Sequence, residues 1–360
     1  MSRRMTALLW RGTGKMQIEE TDVPTIGPKE ILARPLYSTI CGSDRHAYYH
    51  GLFAFNPPFS LGHEFCAEIV ELGSEVDEDV QGNKLRRGDL IVTEPSVFCG
   101  KCYYCRRSEY IQCQSYLWLG SDRTAGGCFS DYMKVDSRVT YKMLDGMTKM
   151  QGALVEPGAV GVHAVRRSNV VLGRSVLIMG GGPIGLFALM AAKAAGAEKI
   201  LLSEVSKFRS ERAARLGAQI VIDPAREDIV RKVMDDTKGL GVDIVIDAAG
   251  DNKAVKQGIA AAKKHGVYVR IAISAGESSV NFTDIMVKEL TVIGSQGYSF
   301  WPYLDMSTDF YQTMLMFKDG RFKADDIVTQ EYDFENWKEA FEMSGDTEKA
   351  IKVAIKARNF

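Results

Sequence analysis

The sequence contains no long hydrophobic run. It has no stretch of 18 or more consecutive apolar residues, whereas a membrane-spanning helix needs about 20. The apolar residues that follow the basic residues of Met1–Arg11 form too short a run for a secretory signal peptide. These two absences predict no transmembrane segment, no membrane partner and a cytoplasmic protein.

The sequence also has little excess charge. Its formal net charge of −1 gives no basic surplus for nucleic acid or an anionic membrane. We find no internal repeats and no low-complexity segments. The 360 residues, 46% apolar and 25% charged, match a globular protein of about two domains.

A glycine cluster within Val176–Leu186 lies between a strand-like apolar run and a helix-compatible run. Gly180, Gly182 and Gly185 have G-x-G-x-x-G spacing, which suits a tight turn, close approach to a pyrophosphate and close helix–strand packing. The helix that begins at Pro183 and Ile184 would direct its free N–H groups at the phosphates. The pattern predicts that these five residues bind a dinucleotide.

Strand-like and helical patterns alternate from about residue 170 to 295, which predicts a doubly wound parallel sheet of the Rossmann type. The six predicted strands are Val176–Met179, Lys199–Glu204, Gln219–Asp223, Val242–Asp247, Val267–Ala272 and Leu290–Gly294. Residues 1 to about 155 read as β-rich, with predicted strands at Ile31–Leu36, Ala67–Leu72 and Asp89–Thr93. The segment from about 297 to 360 is mixed α/β, and we expect it to pack on the first domain.

Four of the seven cysteines, Cys99, Cys102, Cys105 and Cys113, have C-x2-C-x2-C-x7-C spacing. Four thiolates so close together can enclose one tetrahedral structural zinc. Free surface cysteines, a disulfide pair or an iron–sulfur cluster are the alternatives. A nucleic-acid-binding zinc ribbon would call for basic residues that the near-neutral charge does not supply.

A second set of metal-binding residue types is spread along the chain. Cys41 opens the segment Cys41–His46, His63 and Glu64 follow about twenty residues later, and Glu156 precedes the dinucleotide region. Thiolate, imidazole and carboxylate together form the ligand set of a catalytic zinc with one open position.

These motifs, in this order and spacing, resemble the zinc-dependent medium-chain dehydrogenases over the whole chain. Residues 156–164 are similar to the sorbitol (polyol) dehydrogenase branch, in which glutamate replaces a cysteine ligand. The resemblance implies a β-rich GroES-like catalytic domain formed by residues 1–158 and 297–360, with both zinc sites. Residues 159–296 would form the Rossmann domain.

The resemblance also implies roles for individual residues. Cys41, His63 and Glu64 would coordinate the catalytic zinc, and Glu156 would be a ligand or hold the zinc-bound water. Ser43 would pass on the alcohol proton, and His46 would continue the relay or be an ordinary surface histidine. Asp44 would orient a zinc-ligating histidine, or simply cap a turn.

Glu204 ends the second predicted strand, 24 positions after Gly180. An acidic side chain there accepts hydrogen bonds from the ribose hydroxyls and disfavours a 2′-phosphate, which predicts NAD. Arg209 stands where the family often places a basic residue near the adenosine ribose. The alternative is a surface glutamate without a cofactor role.

The substrate is the least determined part of the prediction. Tyr298 and Trp301-Pro302 match the substrate-facing loop of the polyol branch, but Gly297 stands where sorbitol dehydrogenases carry an arginine. Asp122 and Arg123 could hydrogen-bond substrate hydroxyls or a phosphate, or belong to a solvated loop.

We therefore expect a secondary alcohol, namely a polyol, cyclitol, diol or sugar-alcohol phosphate, to be oxidised with NAD and two zinc ions per chain. A threonine-type amino-alcohol dehydrogenase and a non-catalytic dinucleotide-binding protein are the alternatives. The resemblance further implies a homo-oligomer, a tetramer or a dimer.

Overall fold

The computed structural model describes residues 3–273, 276–298 and 308–358. Its amino-terminal part consists of short strands, as the alternating apolar residues predict. The strands are β1 (Arg4–Gly12), β2 (Lys15–Asp22), β3 (Glu30–Thr39), β4 (Phe59–Ser60), β5 (Glu64–Leu72), β6 (Leu90–Thr93), β7 (Ser96–Val97), β8 (Leu117–Trp118), β9 (Met133–Asp136) and β10 (Thr140–Lys142). The helices are α1 (Gly42–His50) and α2 (Lys149–Ala153), with 3-10 turns at Cys105–Arg107, Tyr110–Gln112 and Ser137–Val139.

The middle of the chain alternates helices and parallel strands. The strands are β11 (Ser175–Met179), β12 (Lys199–Ser203), β13 (Ile220–Ile222), β14 (Val242–Asp247), β15 (Ala262–Arg270) and β16 (Thr291–Gly294). The helices are α3 (Val155–Ser168), α4 (Pro183–Ala194), α5 (Lys207–Leu216), α6 (Ile229–Asp236), α7 (Asn252–Ala261) and α8 (Phe282–Lys288). The sheet order β13-β12-β11-β14-β15-β16 is that of a Rossmann fold, which confirms the predicted doubly wound sheet.

The carboxyl-terminal part returns to the first domain. Its elements are α9 (Asp309–Lys318), α10 (Ala324–Ile327), β17 (Val328–Asp333), a 3-10 turn (Phe334–Asn336), α11 (Trp337–Met343) and β18 (Lys352–Lys356). Strand β18 pairs antiparallel with β3 and parallel with β17. They complete a seven-stranded sheet of order β10-β6-β5-β3-β18-β17, with β9 also paired to β3. The exact domain boundaries stay predictions.

The helix α3 joins the two domains. It packs against α4 and α9, and a Cβ added at Gly161 would lie 2.7 Å from the Cβ of Phe187. Only glycine therefore permits this close approach of two helices. The interface holds the strand ends of the Rossmann sheet near the catalytic domain.

Strand β15 begins earlier than the sequence predicts, at Ala262 instead of Val267. Ala262 pairs with Val242, and the register then shifts before Val267 pairs with Ile244. His265 adopts φ +60° in this irregular stretch. The polar residues between the two pairings conceal the early start of the strand. Among the described residues, the structure has no helix that is both long and apolar enough to span a bilayer.

Candidate active site

The glycine turn has the geometry that the sequence predicts. Gly180 has φ +94°, a conformation that favours glycine. A Cβ added at Gly185 would lie 1.9 Å from the carbonyl oxygen of Gly180, so the first turn of α4 packs directly on the loop. At Gly182 the nearest atom to an added Cβ is Nη1 of Arg209, 3.8 Å away. The outer side of the turn is therefore open, as a bound pyrophosphate requires.

Glu204 follows β12 directly and is buried. Its Oε2 accepts the Gly181 N–H at 2.7 Å, and its Oε1 accepts the Ser206 N–H at 2.9 Å. Each carboxylate oxygen keeps further lone pairs for a ribose hydroxyl. The carboxylate is thus fixed against the glycine turn.

Arg209 has a contact that the sequence does not predict. Its Nε and Nη2 donate to the carbonyl oxygen of Ala350 at 3.2 and 2.9 Å, while Nη1 lies beside Gly182. Arg209 therefore links the cofactor turn to the catalytic domain. Its predicted place near the ribose stays a prediction.

Cys41, His63 and Glu64 come together at one end of the catalytic-domain sheet. Their ligand atoms all lie within 4.8 Å of one another. Burial and the charge of Glu64 raise the pKa of the Cys41 thiol to about 12, so a cation at this point is needed to hold the thiolate. The donor set fits zinc, with Cys41, His63 and Glu64 as the residues that would hold it.

Asp44 lies beneath this cluster. Its carboxylate accepts the Cys41 N–H at 2.9 Å and the Gly62 N–H at 3.1 Å, so it fixes the start of α1 against the loop before His63. Its Oδ1 lies 3.7 Å from Nδ1 of His63, beyond hydrogen-bond distance. Nδ1 of His63 is a buried nitrogen without a hydrogen-bond partner. Asp44 is a capping residue here, placed close to the imidazole.

Glu64 has a buried partner that the sequence analysis missed, Lys352 of β18. Nζ of Lys352 donates to Oε1 of Glu64 at 2.6 Å and to the Ile40 carbonyl at 3.1 Å, and the Thr39 hydroxyl donates to Oε2 of Glu64. Burial acts to raise the pKa of Glu64, but Lys352 and His63 hold it below its usual range. A lysine that stands alone in the apolar run 350–355 is a sequence signal for a buried charge, but it does not identify the partner.

Glu156 stands in the first turn of α3 and is not part of the three-residue cluster. Burial raises its pKa to about 8, opposed by His63 and reinforced by Glu64 and Cys41. The carboxyl is therefore close enough to the cluster for the charges of the cluster to change its pKa. The predicted role of Glu156 as a ligand or as the residue that holds the zinc-bound water stays a prediction.

Ser43 and His46 lie three positions apart on α1, on one face of the helix. Among the influences on the pKa of the Cys41 thiol, the Ser43 hydroxyl acts to lower it. His46 is exposed, with its ring 5.7 Å from that of His50. The pair runs from the metal cluster to solvent, which suits the predicted relay.

The four-cysteine lobe is a compact loop closed by the short pair β7 and β8. The Sγ atoms of Cys99, Cys102, Cys105 and Cys113 lie within 4.8 Å of one another, and all four thiols are free. Backbone N–H groups of Cys105 and Gln114 lower the pKa of Cys102 to about 6. Thiols clustered in this way, with backbone donors to sulfur, fit a tetrahedral structural zinc.

The predicted substrate residues differ in their surroundings. Tyr298 is buried at 3% exposure, and Glu156 is among the charges that, with burial, raise its pKa. The carboxylate of Asp122 accepts hydrogen bonds from the Asn56 side chain and from the N–H and hydroxyl of Thr124, and these bonds stabilise its own loop. Arg123 is exposed. Trp301-Pro302 lies outside the described residues.

The segment 350–352 touches both halves of the site. Ala350 accepts the Arg209 guanidinium that lies beside the glycine turn, and Lys352, two residues later, binds Glu64 of the metal cluster. The cofactor turn and the metal cluster are therefore joined by one short stretch of β18 and the turn before it.

Two protein families match the chain. Residues 27–145 match the alcohol dehydrogenase GroES-like domain, and residues 183–318 match the zinc-binding dehydrogenase family. Both matches agree with the fold and the metal clusters.

Relatives cover nearly the whole chain. L-threonine 3-dehydrogenase of Pyrococcus horikoshii is 34% identical over 359 residues, 98% of this chain and 99% of the relative. Sorbitol dehydrogenase of Bacillus subtilis is 30% identical over 344 residues, 94% of this chain and 93% of the relative. A structure of a zinc-binding dehydrogenase from Sinorhizobium meliloti 1021, bound to NADP, superposes with TM-score 0.87 at 28% identity and covers 98% of this chain and 99% of that one.

The family assignment from sequence is confirmed by these similarities and by the two-domain architecture. The chain is an enzyme of the zinc-type alcohol dehydrogenases, with a GroES-like catalytic domain and a Rossmann domain. It belongs to the zinc-dependent medium-chain dehydrogenases.

Proposed function

We propose that this protein oxidises a neutral polyhydroxylated secondary alcohol with NAD, using one zinc ion at Cys41, His63 and Glu64. The observation that carries this proposal is the contact of segment 350–352 with both Arg209 and Glu64. Hydride transfer needs the alcohol carbon and the nicotinamide side by side. The test is NAD reduction on incubation with a panel of polyols, cyclitols, diols, polyol phosphates and threonine. Absence of turnover with every alcohol would reject the proposal.

The residues around the cluster supply binding and proton transfer. Zinc held there would polarise the alcohol hydroxyl and lower its pKa. Ser43 accepts the proton, and His46 passes it to solvent, because the two share a face of α1 and His46 is exposed. The glycine turn and Glu204 hold the dinucleotide so that its ring faces the alcohol.

A neutral substrate is favoured by the charges at the site. The buried ammonium of Lys352 is already held by Glu64 and Ile40. Glu156 and the tyrosine hydroxyl of Tyr298 offer hydrogen bonds but no positive charge. The segment 299–307 contains no lysine or arginine. A substrate carboxylate or phosphate would therefore lack a buried cation to pair with.

An amino alcohol is the second candidate, because threonine dehydrogenases are among the relatives at 34% identity. The carboxyl of Glu156 would then face the substrate ammonium. The same panel separates the two: a higher kcat/KM with threonine than with any polyol selects the amino alcohol.

NAD is the proposed cofactor because Glu204 presents a carboxylate at the end of β12. A 2′-phosphate would meet this negative charge. We expect kcat/KM with NAD to exceed that with NADP by about tenfold or more, the effect of one charged hydrogen bond. Equal use of the two cofactors would remove Glu204 from this role, and one relative binds NADP.

Two zinc ions per chain are proposed, one in each cluster. Plasma emission spectrometry of the purified protein gives the count directly. One zinc per chain would contradict the assignment of one cluster, and none would contradict both. The free state of all seven cysteines supports the expectation of a cytoplasmic, reducing environment.

We also propose assembly through the edge of the Rossmann sheet. Phe282, Met286 and Val287 on α8 are exposed by 77%, 68% and 61%, and β16 is the edge strand of the sheet formed by the described residues. A second copy would cover this apolar face and pair with the free strand edge. Light scattering should show a dimer or tetramer, and Met286→Glu should shift it toward monomer. A monomeric wild-type protein would contradict the proposal.

A further inference from the structure

Glu94 is a buried carboxyl that neither metal cluster nor the cofactor turn uses. It is 1% exposed. Oε1 accepts the Tyr141 hydroxyl at 2.5 Å, and Oε2 accepts the Tyr110 hydroxyl. We call Glu94, Tyr110 and Tyr141 the Glu94 cluster. Tyr110 belongs to the four-cysteine lobe and Tyr141 to β10, so the carboxyl joins two separate parts of the catalytic domain.

One arm of the Glu94 cluster reaches Tyr298 through aromatic rings. The ring of Tyr141 stacks on Phe310 of α9 at 5.7 Å between centroids. The ring of Tyr298 packs edge-on against the same Phe310 at 4.8 Å. Phe310 is therefore held between a tyrosine bound to Glu94 and the predicted substrate residue. A change in Tyr141 is transmitted to Tyr298 by direct packing.

The other arm runs along the lobe. Ile111, next to Tyr110, packs on Gly297, where an added Cβ would lie 3.1 Å from Cδ1 of Ile111. Nε2 of Gln112 donates to Oε1 of Gln296 at 3.5 Å. The turn Tyr110–Gln112 thus supports the two residues before Tyr298 in sequence.

Tyr298 itself has an available hydroxyl. Among the hydrogen bonds of the described residues, none involves this group. Burial and then the Glu156 carboxyl, followed by Tyr116 and Glu94, raise its pKa. The hydroxyl therefore lies in the electrostatic reach of both the metal-side carboxyl and Glu94, and it is free to bind a substrate oxygen.

We propose that Glu94 is a positioning residue, which holds the substrate loop at Tyr298 through Tyr110 and Tyr141. The inference rests on the proposed alcohol oxidation, since Tyr298 is the residue that contacts substrate. The ionised carboxyl accepts both tyrosine hydroxyls at once. A protonated or amide side chain donates a hydrogen of its own toward one of them, so that hydroxyl has to turn and accept, and the charge-assisted hydrogen bonds of the ionised form are lost.

The protonation of Glu94 falls within a measurable pH range. Burial raises its pKa to about 7, opposed by the hydrogen bonds from Tyr110 and Tyr141 and reinforced by Asp309 of α9. Tyr110 faces it from the lobe, Tyr141 from β10 and Asp309 from α9, and the charge of Glu94 also acts on Tyr116 and Tyr298. The cluster is complete above this pH and is disturbed below it.

The experiment is Glu94→Gln in the full-length, zinc-loaded protein. With NAD saturating, we expect kcat/KM for the alcohol to fall about tenfold, mainly through KM, the effect of one lost charged hydrogen bond. The KM for NAD should stay within about twofold, because the glycine turn is untouched. The inflection near pH 7 in kcat/KM should disappear. Tyr110→Phe should change the alcohol KM in the same direction by less.

The control pair is Glu331→Gln and Tyr37→Phe. The Tyr37 hydroxyl donates to Oε1 of Glu331 at 3.2 Å on the exposed part of the same sheet. These variants remove the same type of tyrosine–carboxylate hydrogen bond outside the Glu94 cluster, so both should leave kcat/KM unchanged. Unchanged alcohol KM and pH profile in Glu94→Gln and Tyr110→Phe would overturn the proposal.

Hydrogen–deuterium exchange separates this inference from the proposed function. Faster amide exchange in Gly294–Tyr298 of Glu94→Gln, relative to wild type and Glu331→Gln, supports the positioning role even if no alcohol is oxidised. Exchange equal to wild type in that segment overturns it, whatever the activity.

Discussion

The two cysteine-containing clusters contrast in how they are built. The four-cysteine lobe comes from fifteen consecutive positions, its ligands lie in turns, and three of its four thiols are half-exposed. Cys41 directly precedes α1, whereas His63 directly precedes β5 and Glu64 begins it, and Glu64 is fully buried. The lobe needs only its local loop to bring its sulfurs together. The buried cluster depends on the whole catalytic domain, so its chemistry and its stability are coupled.

The largest expected effect is on the buried cluster. Cys41→Ser should lower kcat/KM for the alcohol by about 10³ or more, because zinc contributes several kcal/mol to stabilising the developing charge. The affinity for NADH, followed by the fluorescence of its reduced nicotinamide, should stay within about twofold. Cys66→Ala is the control, since Cys66 is a buried thiol outside both clusters. Near-normal turnover in Cys41→Ser would refute the metal role.

The next largest effect tests the dependence of the buried cluster on β18. Lys352→Met leaves the Glu64 carboxylate buried without its ion pair, which should cost about 3–5 kcal/mol in the free energy of unfolding. Urea denaturation measures this cost. Lys352→Arg keeps the charge and should recover most of the stability. A loss below about 1 kcal/mol in Lys352→Met would show that Glu64 does not need Lys352.

The smallest effect is expected in the lobe. Cys102→Ser should remove one zinc per chain and lower Tm by on the order of 5 °C, since a structural site contributes to folding rather than to the reaction. Alcohol kcat/KM should fall by about tenfold at most, through the Tyr110–Gln112 turn. Calorimetry and metal analysis measure both. A loss of activity as large as in Cys41→Ser would abolish the distinction between the two clusters.

The contrast also explains how much could be predicted from the sequence. Each of three features is marked by residues close together in the sequence: the Rossmann sheet, the glycine turn and the cysteine tetrad. The structure contains the predicted parallel sheet and brings the four cysteines together. The pair Glu64–Lys352 joins residues 288 positions apart, and no local pattern marks it. Glu94 directly follows β6, and its two tyrosines come from a 3-10 turn of the lobe and from β10.

Two site predictions met competing uses of the same side chain. The sequence analysis offers Asp122 as a substrate-binding residue. In the structure its carboxylate accepts a hydrogen bond from the Thr124 N–H of its own turn, as aspartates at turns commonly do. Arg209 donates two N–H groups to Ala350 across the domain interface. Polar side chains near a site satisfy the nearest backbone groups first, and sequence alone does not show which groups those are.

The pairing of β18 with β3 has a consequence for synthesis of the chain. Lys352 bonds the carbonyl of Ile40, a contact across 312 positions, and the Rossmann sheet lies between the two. Domains fold as units while a chain emerges from the ribosome, so the Rossmann half can form before its catalytic neighbour has all its strands. During that interval β3 has an open edge and Glu64 has no counter-charge. We therefore expect the catalytic domain to complete its sheet only after the Rossmann domain has been synthesised.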